Sequence, residues 1–149
     1  KRDRFAEVSA SAGPAFTTAT VTRGVAVGDF DNNGTPDVLC NDSGGRVRLL
    51  KNEPRHKRHW LGLALRGTVS NRSAIGARVE VRTPHGLQVK EVRSGASYLS
   101  QSDLRLLFGL GDVSDPAKVV VKIRWTTGKW QVVKLTEVNQ YVAVTETVR

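Results

Sequence analysis

Residues 29 to 37 carry oxygen groups whose spacing would suit a metal ion. Alternate positions offer Asp29, Asp31, Asn33, the backbone carbonyl of Thr35, and Asp37, with Gly34 at the bend. Ca²⁺ takes about six to eight oxygen ligands at roughly 2.3–2.6 Å, and a short loop supplies them only if alternate residues turn inward. Glycine allows such a bend because it adopts positive φ easily. The spacing predicts a Ca²⁺ site; the alternative is a polar β-turn, since Asp, Asn and Gly are also common turn residues.

This loop differs from an EF-hand. An EF-hand loop continues to a bidentate Glu at its twelfth position, which here is Cys40. The flanking segments 24–28 and 38–40 are short and apolar, as in strands. We therefore expect a Ca²⁺ loop between two strands, with Cys40 as a buried structural thiol.

The segment 23–38 resembles the FG-GAP repeat, the blade unit of integrin-type β-propellers. The resemblance implies that Asp29, Asp31, Asn33 and Asp37 are calcium ligands. Asn33 stands where the family often has Asp, which implies modest affinity because ligand charge tunes Ca²⁺ binding. A closed propeller needs at least about four blades and only one unit is visible. Residues 1–57 are expected to form a partial blade, with strands near 4–9, 22–29, 36–41 and 45–51.

A second region, residues 58–149, changes to longer alternating strands. The clearest run places Val119, Val121, Ile123 and Trp125 on one face, with Val120, Lys122 and Arg124 between them. Period-two alternation bounded by Gly-containing turns predicts antiparallel sheet with one buried face. The expected fold is all-β: an antiparallel β-sandwich or partly open barrel, preceded by the partial propeller blade.

Five blocks of this region resemble the ASPIC/UnbV domain, as in the cartilage acidic protein family, where it follows FG-GAP repeats. The blocks are residues 59–67, 71–79, 92–102, 107–111 and 123–128. The resemblance implies a calcium-associated binding or adhesion module of a secreted or extracytoplasmic protein. The chain has no Met and no apolar run behind its basic N-terminus, so we expect a fragment without its signal peptide. No run approaches the roughly 18–20 apolar residues of a transmembrane segment.

A basic stripe crosses the boundary between the two regions, in a chain whose formal net charge is +9. It consists of Arg46, Arg48, Lys51, Arg55, Lys57 and Arg58. Such a stripe can attract polyanions, or it can be a solvated linker. Nucleic acid is not expected, because the stripe has no aromatic residue before Trp60 and single-strand binders interleave aromatics. The expected partner is an unidentified protein or an acidic polysaccharide.

Catalysis finds little support in the sequence. The histidines His56, His59 and His85 lie beside basic or turn residues, and no Gly-x-Ser-x-Gly nucleophile elbow is present. The polar segment 94–102 could bind sugar hydroxyls or simply form a polar loop. We therefore expect a non-catalytic, calcium-associated extracellular binding, adhesion or scaffold module. The alternatives are a polyanion- or carbohydrate-binding module that uses residues 46–58, and an accessory domain of a hydrolase.

Overall fold

The computed structural model describes residues 4–53 and 58–148, and the all-β class predicted from the sequence is confirmed. Helical structure in these ranges is limited to one turn, α1 (Ser9–Ala12), and two 3₁₀ turns, Pro14–Phe16 and Pro116–Lys118. The strands are β1 (Thr22–Gly28), β2 (Asp37–Asp42), β3 (Val47–Leu50), β4 (His59–Arg66), β5 (Arg78–Thr83), β6 (Gly86–Glu91), β7 (Leu106–Gly111), β8 (Val120–Arg124), β9 (Trp130–Val133) and β10 (Tyr141–Thr145).

The first three strands form an antiparallel sheet in the order β1-β2-β3. Gly28 pairs with Asp37, so the predicted calcium loop is the connection between β1 and β2. The strand predicted near residues 4–9 is wrong: this part of the chain is irregular and leads into α1. Its apolar residues Phe5 and Val8 are exposed, so no neighbouring face buries them. Without that burial the segment has no reason to join the sheet.

The remaining strands form two sheets that pack as a sandwich, in the orders β10-β4-β7 and β6-β5-β8-β9. One hydrophobic cluster joins them; its fully buried members include Leu61, Leu63 and Phe108 from the first sheet and Val79 and Ile123 from the second. The sheets do not close into a barrel. The antiparallel prediction fails for one pair, because β10 runs parallel to β4. Strands β5 to β9 lie between them in sequence and give the chain the length that a parallel crossover needs.

The alternation predicted for β8 and its flanks is confirmed. Val121 and Ile123 are fully buried and Val119 and Trp125 nearly so, whereas the intervening residues of β8 are exposed. Burying an aliphatic side chain is worth about 1.5–3 kcal/mol, and an unpaired buried cation costs more than that, so the charged residues take the outer face.

The N-terminal sheet lacks a comparable core. Within the described part of β1 to β3, Cys40 is the buried hydrophobic residue, while Val27, Leu39, Val47 and Leu49 are exposed. This sheet instead buries acidic side chains, at its ends and in the predicted calcium loop. Three strands need an apolar face or a neighbouring layer to be stable. Its stability must therefore come from polar contacts and from the sandwich.

The polar segment that follows β6 covers the outer edge of β1. The amide of Asp103 donates to the carbonyl of Val27 at 2.9 Å, and the hydroxyl of Ser102 accepts from the amide of Val27 at 3.2 Å. At Gly24 a Cβ would lie 2.6 Å from Ser100 Oγ, so glycine permits this approach. Part of the segment considered for sugar binding thus joins the two regions. Within the described ranges, no helix is long and apolar enough to span a membrane.

Candidate metal centre

Three acidic side chains of the β1–β2 loop converge. Carboxylate oxygens of Asp29, Asp31 and Asp37 lie within 4.8 Å of one another. The loop folds back on itself through positive φ angles of 57° at Asn32 and 86° at Gly34. The glycine predicted at the bend therefore does adopt a conformation that most residues avoid. The loop geometry brings together three of the five predicted ligands.

The two buried acids of this cluster form no direct ion pair among the described residues, although the charge of Arg105 acts on Asp29. Asp29 and Asp37 are each 2% exposed, and neither forms an ion pair with any residue that the structure describes. The third buried acid of the same sheet, Asp42, is paired with Arg48 at 2.6 Å. Buried carboxylates are costly unless a positive charge compensates them. Asp29 and Asp37 are therefore residues that could hold a cation.

Backbone amides hold both buried carboxylates in place. Asp29 accepts from the amides of Asn33 at 3.0 Å and Gly34 at 2.9 Å. Asp37 accepts from the amides of Phe30 at 2.8 Å and Asn52 at 2.7 Å. An ionised carboxylate has about four acceptor positions, so oxygen lone pairs remain for a metal ion. Oxygens on an already folded loop are the donor set that Ca²⁺ prefers.

Asp31 is the exposed member of the cluster and is contacted by Lys51. The distance from Lys51 Nζ to Asp31 Oδ2 is 3.0 Å. The hydrogen bond and charge of Lys51 lower the pKa of Asp31, and Asp31 in turn raises the pKa of Lys51. A cation bound by Asp31 must compete with this ammonium group.

Asn33 and Thr35, the other predicted ligands, contact each other. The side-chain oxygen of Asn33 accepts from both the amide and the hydroxyl of Thr35. The backbone carbonyl of Asn52 accepts from the side-chain nitrogen Nδ2 of Asn33 at 3.3 Å and from the Thr35 hydroxyl at 2.8 Å. For Asn33 to ligate a metal through its oxygen, the hydrogen bonds from Thr35 must be shared or released.

Residues of the sandwich complete the surroundings of the loop, and no local pattern in the sequence predicts them. The hydroxyl of Tyr141 donates to Asp29 Oδ2 at 2.9 Å. Burial and then this hydrogen bond raise the pKa of Tyr141, so the phenol keeps its proton. Arg105 donates to the carbonyl of Asp29 at 2.9 Å and to the side chain of Asn32 at 2.7 Å. These contacts join residues more than 70 positions apart, which no spacing rule could reveal.

Aromatic packing closes the same junction. A Cβ on Gly34 would lie 2.2 Å from the indole of Trp60, so the ring sits directly against the loop. Trp60 and Tyr141 meet edge to face with ring centroids 5.2 Å apart. The guanidinium of Arg105 lies 4.0 Å from the centre of the Tyr141 ring, within cation–π distance. The candidate metal loop is thus packed on side chains of the sandwich.

The basic stripe predicted for polyanions is divided by the structure. Arg48 is paired with Asp42, and Lys51 contacts Asp31 and Glu53. Arg46 and Arg58 are exposed. The remaining two predicted residues, Arg55 and Lys57, lie outside the described residues. Two of its six cations are therefore occupied by acidic side chains of this same chain.

In a comparison with protein families, residues 67–149 match the family described as ASPIC and UnbV. The match includes the strands β5 to β10 and leaves the β1–β2 loop outside it. No curated protein matches this chain.

Proposed function

Since the chain belongs to the ASPIC and UnbV family, we propose that it is a non-catalytic, calcium-associated binding or scaffold module of a larger extracellular protein. In this proposal residues 22–50 are an FG-GAP-type blade segment, and Ca²⁺ binds at its β1–β2 loop. The observation that carries it is the pair of buried carboxylates, Asp29 and Asp37, which form no direct ion pair among the described residues.

The shared contacts of Asp29 give the metal a structural role. One side chain is a candidate ligand, accepts two loop amides and accepts the Tyr141 hydroxyl of the sandwich. A cation between Asp29 and Asp37 would therefore stabilise both the loop and its contacts with the sandwich. Function then lies in recognition by a rigid surface.

The charge of the site supports an extracellular setting. Three carboxylates and a neutral Asn33 provide fewer negative charges than a loop with four acids, and Lys51 lowers the local charge further. Ligand charge sets Ca²⁺ affinity, and extracellular modules bind at about 10⁻⁴–10⁻³ M. The alternative function, polyanion binding by the basic stripe, has weaker support than calcium binding, because Arg48 and Lys51 already contact acidic side chains of this chain.

Thermal unfolding in millimolar Ca²⁺ and in excess EGTA tests the proposal. Binding to the native state at a hundredfold excess over Kd adds about 2.7 kcal/mol, so Ca²⁺ should raise the melting temperature of the wild type. Asp37→Asn should abolish that rise. Asp115→Asn is the matched control: Asp115 caps the second 3₁₀ turn, and asparagine caps equally well.

A direct binding measurement accompanies the unfolding test. The Trp60 indole lies against Gly34 of the loop, so terbium bound in place of Ca²⁺ should show luminescence sensitised by tryptophan. Added Ca²⁺ should quench it, and Asp37→Asn should remove it. An unchanged melting temperature together with no sensitised signal in the wild type would exclude the calcium site.

A further inference from the structure

The outward face of the four-stranded sheet combines arginines with an exposed tryptophan. Cross-strand register defines it: Arg78 pairs with Arg124 and Arg124 with Trp130, while Glu80 pairs with Lys122. We call this surface the outer sheet face. It consists of Leu87, Val89 and Glu91 of β6; Arg78, Glu80 and Arg82 of β5; Val120, Lys122 and Arg124 of β8; and Trp130 and Val132 of β9.

Positive charge on this face exceeds what its own acids neutralise. It carries four cations and two carboxylates. Glu80 contacts Arg78 at 3.6 Å. Arg82, Lys122 and Arg124 form no ion pair with any residue in the described ranges. In contrast to Arg48 and Lys51 of the basic stripe, these side chains remain available to an external anion.

The positions of Arg78 and Arg124 reduce the stability of the sheet. They lie directly opposite each other on neighbouring strands, and like charges in opposed positions are destabilising. Arg78 also faces Glu91 on β6 and contacts Glu80, so Arg124 is the member of the pair that forms no ion pair within the described ranges. An anion that binds both guanidinium groups would remove this repulsion. The pair lies on the two central strands, in the row of residues at one end of the sheet that also contains Trp130, and such a departure from the rules of stability is expected mainly at functional sites.

Trp130 extends the same row of residues at the edge of the sheet. Its side chain is 52% exposed, and it pairs with Arg124. Tryptophan and arginine are the residues that most often dominate binding surfaces. An exposed indole also offers a flat apolar surface on which the C–H face of a sugar ring can rest.

The distribution of charge over the strands distinguishes a polyanion from a protein partner. All four cations lie on the central strands β5 and β8, together with Val120, whereas the other apolar residues, among them Val89 and Val132, lie on the outer strands. Protein interfaces have the opposite arrangement, with an apolar centre and a polar rim. Single-stranded nucleic acid requires successive aromatic residues for stacking, and this face has one.

We propose that the outer sheet face binds an acidic polysaccharide, with Arg78 and Arg124 on its carboxylate or sulfate groups and Trp130 on a sugar ring. The planar fork of arginine suits bidentate contacts to such groups. Lys122 and Arg82 extend the attraction along the chain of the ligand. The inference does not depend on the proposed calcium site, because none of these residues is a candidate metal ligand.

Titration with heparin at several salt concentrations tests the inference in the whole chain. For each phosphate-like contact that is lost, the decrease of log K with log salt becomes less steep by roughly 0.7–0.9. The double variant Arg78→Gln/Arg124→Gln should therefore bind about tenfold or more weakly at low salt, with a slope smaller by about 1.5. Its melting temperature should be unchanged or higher, because the opposed charges are gone.

Three single variants separate sugar recognition from simple charge attraction. Trp130→Leu should weaken heparin binding severalfold with an unchanged salt slope, and should leave binding of polyglutamate unaffected. Lys118→Gln removes an exposed cation elsewhere and should bind heparin as the wild type does, and Arg46→Gln of the basic stripe should have a smaller effect than the double variant.

The inference is overturned if the double variant binds heparin like the wild type, or if Arg46→Gln has the larger effect. Trp130→Leu leaving heparin binding unchanged would reduce the face to a charge patch and would equally overturn it. Tighter, Trp130-dependent binding of single-stranded DNA than of heparin would assign the face to nucleic acid instead.

Discussion

Glu146 shows how a single carboxylate organises a loop of the sandwich. It is buried and accepts hydrogen bonds from the amides of Thr68 and Val69 at 3.0 Å and of Ser70 at 2.7 Å. The hydroxyls of Ser70 and Thr127 add two more contacts. Burial by itself would raise the pKa of Glu146, but these donors outweigh it and lower the pKa to about 2. The ionised form is therefore the one that the fold stabilises.

The lowered pKa of Glu146 predicts that the stability of the protein falls at acidic pH. Because the folded pKa lies below the ordinary value of 4.5, its contribution is complete above about pH 4.5 and is lost as the pH falls toward 2. Glu146→Gln should lose roughly 1–3 kcal/mol at pH 7, since buried donors lose their acceptor. It should also flatten the pH dependence between 4.5 and 2. Urea titrations across this range measure both effects, with exposed Glu137→Gln as the control.

A steeper acid loss in Glu146→Gln than in the wild type would contradict this assignment. The expected sign is opposite, because the substituted amide has no proton to gain in that range.

Gly34 is required both for its backbone angle and for the ring that lies against it. Gly34→Ala places a methyl group at a φ of 86° and within 2.2 Å of Trp60. We expect a loss of more than about 1–3 kcal/mol, the usual cost of a strained φ alone. Gly44→Ala is a matched control, since Gly44 has a φ of 70° and nothing within 4 Å of the added Cβ. Chemical denaturation should give Gly34→Ala a clearly lower free energy of unfolding than Gly44→Ala. Equal losses of stability would show that the Trp60 ring moves aside at little cost.

At the scale of elements, the strand β8 gives the sandwich its register. Val121 and Ile123 pair with Val81 and Val79 of β5, and all four are fully buried. A shift by one residue would exchange these side chains for Lys122 and Arg124. The strand therefore has one acceptable position, determined by which side chains can leave water.

Two neighbouring substitutions in β8 test this register. Ile123→Ala should destabilise the protein by roughly 2–5 kcal/mol, because it leaves a cavity between the sheets. Lys122→Ala should change stability by less than about 0.5 kcal/mol, since its side chain is exposed. Urea unfolding of the two variants gives the comparison. The reverse order would mean that the two faces of β8 are misassigned.

At the scale of the whole molecule, the N-terminal sheet depends on the sandwich. Its described strands bury one hydrophobic residue, Cys40, while the hydrophobic cluster of the sandwich draws on residues from Leu61 onward. Arg105 is the most connected residue at the junction, with contacts to Asp29, Asn32, Asp103 and Tyr141. Regions with few buried apolar contacts open at lower free energy than a core does.

Removing Arg105 should therefore loosen the N-terminal sheet selectively. In Arg105→Gln, hydrogen exchange of the β1 and β2 amides should become faster by about tenfold or more, as expected for the loss of one or two hydrogen bonds to a charged group. Amides of β5 and β8 should be unaffected. Arg66→Gln, an exposed arginine of the sandwich, is the control. Uniform acceleration in both regions would show instead that the molecule opens as one unit.

Local patterns in the sequence were sufficient for the buried face of β8 and for the loop that gathers carboxylates. Alternation predicts which side of β8 is buried because strand geometry has a period of two whatever the partner is. The acids at positions 29, 31 and 37 converge because a glycine bend brings near neighbours together, so no distant residue is needed. The failed strand at residues 4–9 shows the limit: apolar residues alone do not make a strand when nothing covers them.

Tertiary structure decided the contacts between distant residues. The parallel pairing of β10 with β4, the seat of the loop on Trp60 and Tyr141, and the bridge made by Arg105 each join segments that have no common periodicity. The same holds for charge: the sequence places Arg48 and Lys51 in a basic stripe, whereas the fold brings Asp42 and Asp31 beside them. Sequence determines what a side chain can do over a few residues, whereas long-range packing determines which partner it meets.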